Sequence, residues 1–278
     1  MKILLINKYL YPKGGSETYM FQLAELLRQH GHVVSFWGML DEKNIVPDEY
    51  RSFADPIDFQ QPQDALKKIG MAFSTVYSRT NRKKIKRVLQ QFKPDIVHIH
   101  NYNFQLTPAI LPAIKENGAR IVHTMHDSQL ACPVHRFYNP RKGGLCTKCV
   151  SGGFWNCTAD RCFDGSLFKS ALGTLESYFY HTQNYYNRFI DAFVSPSEFL
   201  AKYIQVRLDK QVVIIPNFTV DRKFIPMSQD GGYILYFGRI SAEKGILELQ
   251  EDFIKARIKL VVIGSGPEES RIQRSPFI

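Results

Sequence analysis

Six short apolar runs, each rich in β-branched or aromatic residues, recur at 2–7, 32–37, 95–100, 120–124, 191–195 and 211–215. None alternates cleanly between apolar and polar residues, as "DIVHIH" and "QVVII" illustrate. A strand with one wet face alternates, so runs of this kind suit a parallel sheet covered on both faces. The stretches between them carry a helical period. Over 17–30, Tyr19, Leu23 and Leu27 recur every fourth residue with Met20 and Ala24 beside them, and Gly31 stops the pattern. At 195–198, "SPSE" reads as a capping box, with Ser195 as N-cap, Pro196 at the first helical position and Glu198 at the third. Strand and helix therefore alternate, the pattern of a doubly wound α/β domain.

The alternation breaks twice. Residues 41–78 are weakly patterned and contain prolines, which predicts an irregular insertion with a short helix. Residues 126–165 hold all five cysteines in a long loop, and long ordered loops are often functional or stapled. After Pro216-Asn217 the rhythm restarts, with "YILYFGRI" at 233–240 as a strand, "EKGILELQEDFIKA" at 243–256 as a helix and "IKLVVIGSGP" at 258–267 as another strand. This is one βαβ unit, reached through the linker "DRKFIPMSQDGG". The expected organisation is a Rossmann-like domain over 1–220 with a Cys-rich insertion at about 131–165, then an incomplete second Rossmann-like domain over 231–278. A complete second domain needs roughly 100 residues or more, so a truncated reading frame or a fragment is expected.

Bulk properties narrow the partners. At 278 residues, 44% hydrophobic and 22% charged, the composition is globular. No apolar run is long enough to span a bilayer. The run Ile3 to Ile6 is too short for a secretory leader and ends at Asn7-Lys8. A cytoplasmic protein is therefore expected, with the N-x-T sequons at Asn156 and Asn217 arising by chance. The formal net charge of +10 suits anionic partners. Its densest segment is "RTNRKKIKR", Arg79 to Arg87. That segment reads either as a solvated helix face or as contact with phosphate or the inner face of an anionic membrane. It lacks interleaved aromatics and no nucleic-acid module accompanies it, so nucleic acid is not an expected partner.

Ligands of open α/β sheets sit at the carboxyl ends of strands, and four features fall there. Gly14-Gly15, in "PKGGSE", stands between the first strand and first helix. Glycine admits close approach of a phosphate, and the helix N-terminus offers free N–H groups; a plain tight turn is the alternative. His126-Asp127 follows the strand 120–124; its imidazole can hydrogen-bond a sugar hydroxyl or share a proton. His98, His100 and His123 are read as structural strand residues. In "GRISAEKG", Arg239 and Lys244 straddle a strand-to-helix turn, where two cations would neutralise a diphosphate leaving group; a solvated basic turn is the alternative. "GSGP" at 264–267 is a second close-approach turn.

Taken in order, "GGSE", "HD", "VSPSEF", "IPNF" followed by "VD", "GRISAEKG" and "VVIGSGP" make a set. It resembles the large retaining glycosyltransferase family 4, of the GT-B fold. The resemblance implies two Rossmann-like domains, the first binding the acceptor and the second a nucleotide-diphosphate sugar. It implies that Gly14, Gly15, Arg239 and Lys244 bind the donor diphosphate, that His126 lies beside the transferred sugar, and that no catalytic metal is needed. The implied function is transfer of a sugar to a saccharide or lipid-linked acceptor. The family's E-x₇-E motif lies beyond the midpoint of its second domain, and this chain is expected to end before it, which puts activity of this chain alone in question. A non-catalytic saccharide- or protein-binding module is the competing reading.

Cys146, Cys149, Cys157 and Cys162 spell C-x₂-C-x₇-C-x₄-C, with Cys132 apart. Four thiolates at short spacing can close a structural zinc site. In a reducing compartment this outranks disulfides; free or redox-active thiols and an iron–sulfur cluster are the alternatives.

Overall fold

The computed structural model describes residues 1–56, 65–139, 141–219 and 229–278. The chain divides into two compact units, Met1–Val220 and Asp221–Ile278. The first begins with β1 (Lys2–Ile6), α1 (Gly15–Gln29) and β2 (Val33–Trp37). After α2 (Ala65–Val76) and α3 (Arg79–Phe92) come β3 (Ile96–Ile99), α4 (Leu111–Glu116) and β4 (Arg120–Thr124). The cysteine-rich stretch folds into a short hairpin, β5 (Tyr138–Asn139) and β6 (Gly144–Leu145), then α5 (Lys148–Ser151) and α6 (Trp155–Ala159). It is thus a small substructure rather than a plain loop. Helices α7 (Leu167–Thr182) and α8 (Tyr185–Phe189) lead to β7 (Ala192–Ser195), α9 (Glu198–Gln205) and β8 (Val212–Ile214).

All six expected strands form one parallel sheet in the order β2-β1-β3-β4-β7-β8. Ile3, Leu4, Leu5 and Ile6 are all buried, so successive side chains on both faces of β1 are covered, as the unbroken apolar run requires. Helix α3 turns Ile85, Val88, Leu89 and Phe92 inward at helical spacing and leaves its cations outside. The chain leaves β1 toward β2 on one side and later returns to β3 on the other. The direction of winding therefore reverses between β1 and β3, the topological switch point at which such sheets bind ligands.

The capping box lies elsewhere than expected. Ser195 ends β7, paired with Ile214, and its hydroxyl bonds the Ser197 carbonyl at 2.8 Å. Ser197 is the N-cap of α9, accepting from Leu200 N–H at 3.3 Å. Strand pairing holds Ser195 extended, so Pro196 lies outside the helix.

The second unit contains β9 (Ile234–Phe237), α10 (Ile246–Ala256) and β10 (Leu260–Ile263), its strands parallel. Ile240, Ile246 and Leu260 are its buried centre. The helix starts three residues later than the sequence pattern suggests, because Ala242–Lys244 form a 3₁₀ turn closed by Gly245 at φ +68°. The expected linker at 221–232 lies largely outside the described residues.

Candidate functional site

The site in the first unit is built at the carboxyl ends of β1, β3 and β4. Asn7, immediately after β1, is fully buried. Its Nδ2 donates to Glu17 Oε1 at 2.9 Å and to the Tyr9 carbonyl at 2.7 Å. Its Oδ1 accepts the Asn101 N–H at 2.9 Å, and Asn101 Nδ2 donates to Ser16 Oγ at 2.8 Å. These bonds tie the start of α1 to the ends of both strands flanking the switch point. Glu17, in the first turn of α1, is 4% exposed and serves as the inward anchor of this network.

Gly14 and Gly15 sit exposed at the head of α1. Gly14 is extended, at φ −165°, which any residue can adopt. A Cβ there would meet only Glu17 Oε2 at an ordinary 3.4 Å, and one on Gly15 would meet nothing within 4 Å. The fold itself does not require these two glycines. What their missing side chains leave open is the outer approach to the first-turn N–H groups, which have no intrahelical acceptors.

His126 lies two residues past β4, half-buried. Its Nε2 is 3.0 Å from His100 Nδ1. His98, His100 and His126 stack face to face, with centroids 4.5 and 5.3 Å apart and planes inclined by 22° in each pair. Tyr19 of α1 presents its ring edge-on to His126 at 5.2 Å and to Phe218 at 5.1 Å. Thr124, next to the Tyr19 side chain, bonds His98 Nε2 at 2.7 Å. Burial pushes the His126 imidazole below its ordinary value, against the opposing pull of Asp127 and Glu17. Burial likewise takes His98 down to about 4 and His123 down to about 3. At neutral pH His126 is therefore an uncharged imidazole, one nitrogen engaged by His100, suited to hydrogen-bonding a hydroxyl. His100 is 1% exposed and stands one residue past β3 rather than within the strand, where it contacts His126.

The loops after β3 and β4 hold strain. Phe104, Thr107, His135 and Phe137 have φ of 60°, 62°, 62° and 49°, a region costing such residues about 1–3 kcal/mol each. His135 is stacked on Phe104 at 4.9 Å and reached by Asn103 Nδ2 at 3.1 Å. Below these loops Glu176 of α7 is 2% exposed, and its Oε1 has no partner among the described residues. Burial, reinforced by Asp127, pushes its carboxyl up to about 8.

The five cysteines are free thiols within electrostatic reach of one another, Cys132 included. Burial pushes Cys149 up to about 12 and raises Cys157 and Cys162 as well. Among the described residues no three His, Cys, Asp or Glu side chains are disposed to hold a metal ion. Arg239 and Lys244 lie exposed in the second unit, after β9. There a Cβ on Gly264 would fall 1.8 Å from the Gly238 carbonyl oxygen. The two strand ends approach so closely that only glycine fits at 264.

A glycine pair at a helix N-terminus and a neutral histidine both stand at the carboxyl edge of a parallel sheet in an α/β domain. The sequence pattern of Glycosyltransferase Family 4 matches residues 13–221, and the chain belongs to that family. An uncharacterized 42.6 kDa protein in the cps region of Klebsiella pneumoniae is 27% identical over 263 residues, covering 88% of this chain and 63% of that protein. The catalytic domain of starch synthase IV from Arabidopsis thaliana, bound to ADP and acarbose, superposes with a TM-score of 0.50 at 14% identity, over 96% of this chain and 69% of that one. Anabaena HepE in complex with UDP gives 0.48 at 14% identity, over 98% and 63%. The fold is that of GT-B glycosyltransferases, and the chain spans less than two thirds of its curated relative. Among the described residues no helix is long and apolar enough to cross a membrane.

Proposed function

We propose that this chain contributes to a retaining glycosyltransferase that moves a sugar from a nucleotide-diphosphate sugar to a saccharide or lipid-linked acceptor. The observation that carries the reading is the pair of fold-dispensable glycines, Gly14 and Gly15, at the head of α1 in a family 4 chain. Their amides bind donor phosphate oxygens. In the second unit, Arg239 and Lys244 also bind donor phosphate and stabilise the charge on the departing group. His126, uncharged and tethered by His100, hydrogen-bonds the transferred sugar as its anomeric carbon gains positive character, and an acceptor hydroxyl then attacks. No catalytic metal is required. The activity is proposed for the whole protein, given the 63% span.

The test is transfer from a panel of nucleotide sugars by the full-length protein. Arg239→Ala is expected to reduce turnover at least tenfold, in line with removal of one charge-stabilising donor. Unchanged turnover would discard the assignment. Absence of transfer, with saccharide binding retained, would favour the binding-module reading. For the insertion we infer a structural zinc on Cys146, Cys149, Cys157 and Cys162. Its support is the C-x₂-C-x₇-C-x₄-C spacing alone, since the thiols as placed are not gathered into a metal-holding set. The protein purified at pH 7 is expected to hold one zinc per chain with those thiols unreactive; metal-free protein with reactive thiols would overturn this.

A further inference from the structure

Helix α7 is inside out. Its buried side carries Ser170, Gly173, Thr174, Glu176 and Ser177, with Tyr180 the one aromatic. Its outer side carries Phe168, Ala171, Leu172 and Leu175, a row at helical spacing, and ends at Phe179, which is half-buried and packs partly against the core. Phe168 is 64% exposed and Leu175 47%. Neighbouring Phe73 of α2 is 60% exposed and lines, with Ala72, Phe168, Ala171, Leu172 and Leu175, one almost wholly apolar depression. A surface helix of a soluble protein normally shows the reverse polarity, and a contiguous apolar patch marks an interaction surface.

The same row runs into a basic zone. Phe179 meets Tyr77 at 6.0 Å between ring centroids and lines a second depression with Arg79, Arg82, Lys83 and Lys86. Helix α3 has six cations and no acid in its 14 residues. Glu116 takes both Arg82 and Lys86, at 2.6 and 2.7 Å, and Asp55 takes Lys84 at 2.6 Å. Arg79, Lys83 and Arg87 have no acidic partner among the described residues. Apolar aromatics bordered by unpaired cations complement an anionic bilayer, where the rings enter the acyl boundary and the cations meet headgroup phosphates. Self-association through this face would bring like charges together.

We propose that the outer face of α7, with Phe73, and the basic face of α3 form one surface that docks on an anionic lipid bilayer. The proposal deepens the reading of a lipid-linked acceptor and rests on it only for its purpose, since docking is measurable without transfer. The experiment is co-sedimentation of the chain with vesicles of phosphatidylcholine alone and of phosphatidylcholine mixed with phosphatidylglycerol. Binding is expected to the mixed vesicles and to fall with added salt. Lys83→Glu with Arg87→Glu, and separately Phe73→Ser with Phe168→Ser, are each expected to weaken it about tenfold or more. All four side chains are exposed or half-exposed, and an unchanged melting curve confirms that the variants fold. Absence of binding to mixed vesicles, or equal binding by the variants, overturns the proposal. Sedimentation as a dimer that the aromatic changes abolish assigns the face to a second copy and overturns it too. Vesicle binding by a protein that transfers no sugar would refute the transferase reading and leave this one standing.

Discussion

Replacing Glu176 with Gln is expected to stabilise the first unit, although it alters one of its most buried polar groups. The folded protein holds the carboxyl near pH 8, against 4.5 in the unfolded chain. Between those values the unfolded chain releases a proton that the folded chain retains. Stability is thus fully present below pH 4.5 and is lost as pH rises toward 8. The loss is 1.36 kcal/mol for each pH unit, or about 3 kcal/mol at pH 7. Glutamine has a similar shape and no charge to desolvate, so Glu176→Gln removes the penalty. Urea unfolding followed by Trp37 and Trp155 fluorescence measures it. The expected gain is about 3 kcal/mol at pH 7 and under about 1 kcal/mol at pH 5. A loss of stability at pH 7 would mean that the carboxylate is ionised and specifically paired, and would refute the reasoning; so would a gain independent of pH.

Acid acts in the opposite sense through the histidines. Burial holds His98, His135 and His181 near 4 and His123 near 3, so their stabilisation is complete above 6.5 and is forfeited as pH falls. Each loses about 2 kcal/mol by pH 5, a large share of the 5–15 kcal/mol typical of a domain. Urea midpoints should drop steeply between pH 6.5 and 5, and a flat profile would contradict the neutral-histidine picture. Gly38→Ala should cost about 1–3 kcal/mol, since the new Cβ would stand 2.3 Å from the Asn7 carbonyl oxygen and 2.8 Å from Leu10 Cγ. A variant as stable as the parent in the same urea assay would show that this contact relaxes freely.

The six strands were legible because burial on both faces leaves an unmistakable composition, as in Ile3 to Ile6. The placement of Gly14, Gly15 and His126 beyond strand ends was legible because each follows such an apolar run. What escaped depends on contacts distant in the chain. His100 and His126 are 26 residues apart, and nothing local to "DIVHIH" shows which of its histidines leaves the strand and faces another ring. Asn7 offered a weak signal, a polar residue closing an apolar run, but its link to Asn101 spans 94 residues. Helix α7 raised no expectation because its polarity is reversed, so a search for an apolar inward stripe passes over it. The capping box was displaced for a further reason: "SPSE" contains two serines able to cap, and pairing with β8 decides between them.

The imidazole stack also gives the protein a spectroscopic handle. His98, His100 and His126 lie face over face, with the Tyr19 ring edge-on to two of them. Each ring therefore sits in the magnetic shadow of its neighbour, and the carbon-bound ring protons of His126 should resonate displaced from those of a free histidine. Any molecule that turns or lifts His126 on binding would move those resonances. A ligand bound beside His126 could thus be sought by proton spectra alone, without a label and before any turnover is measured.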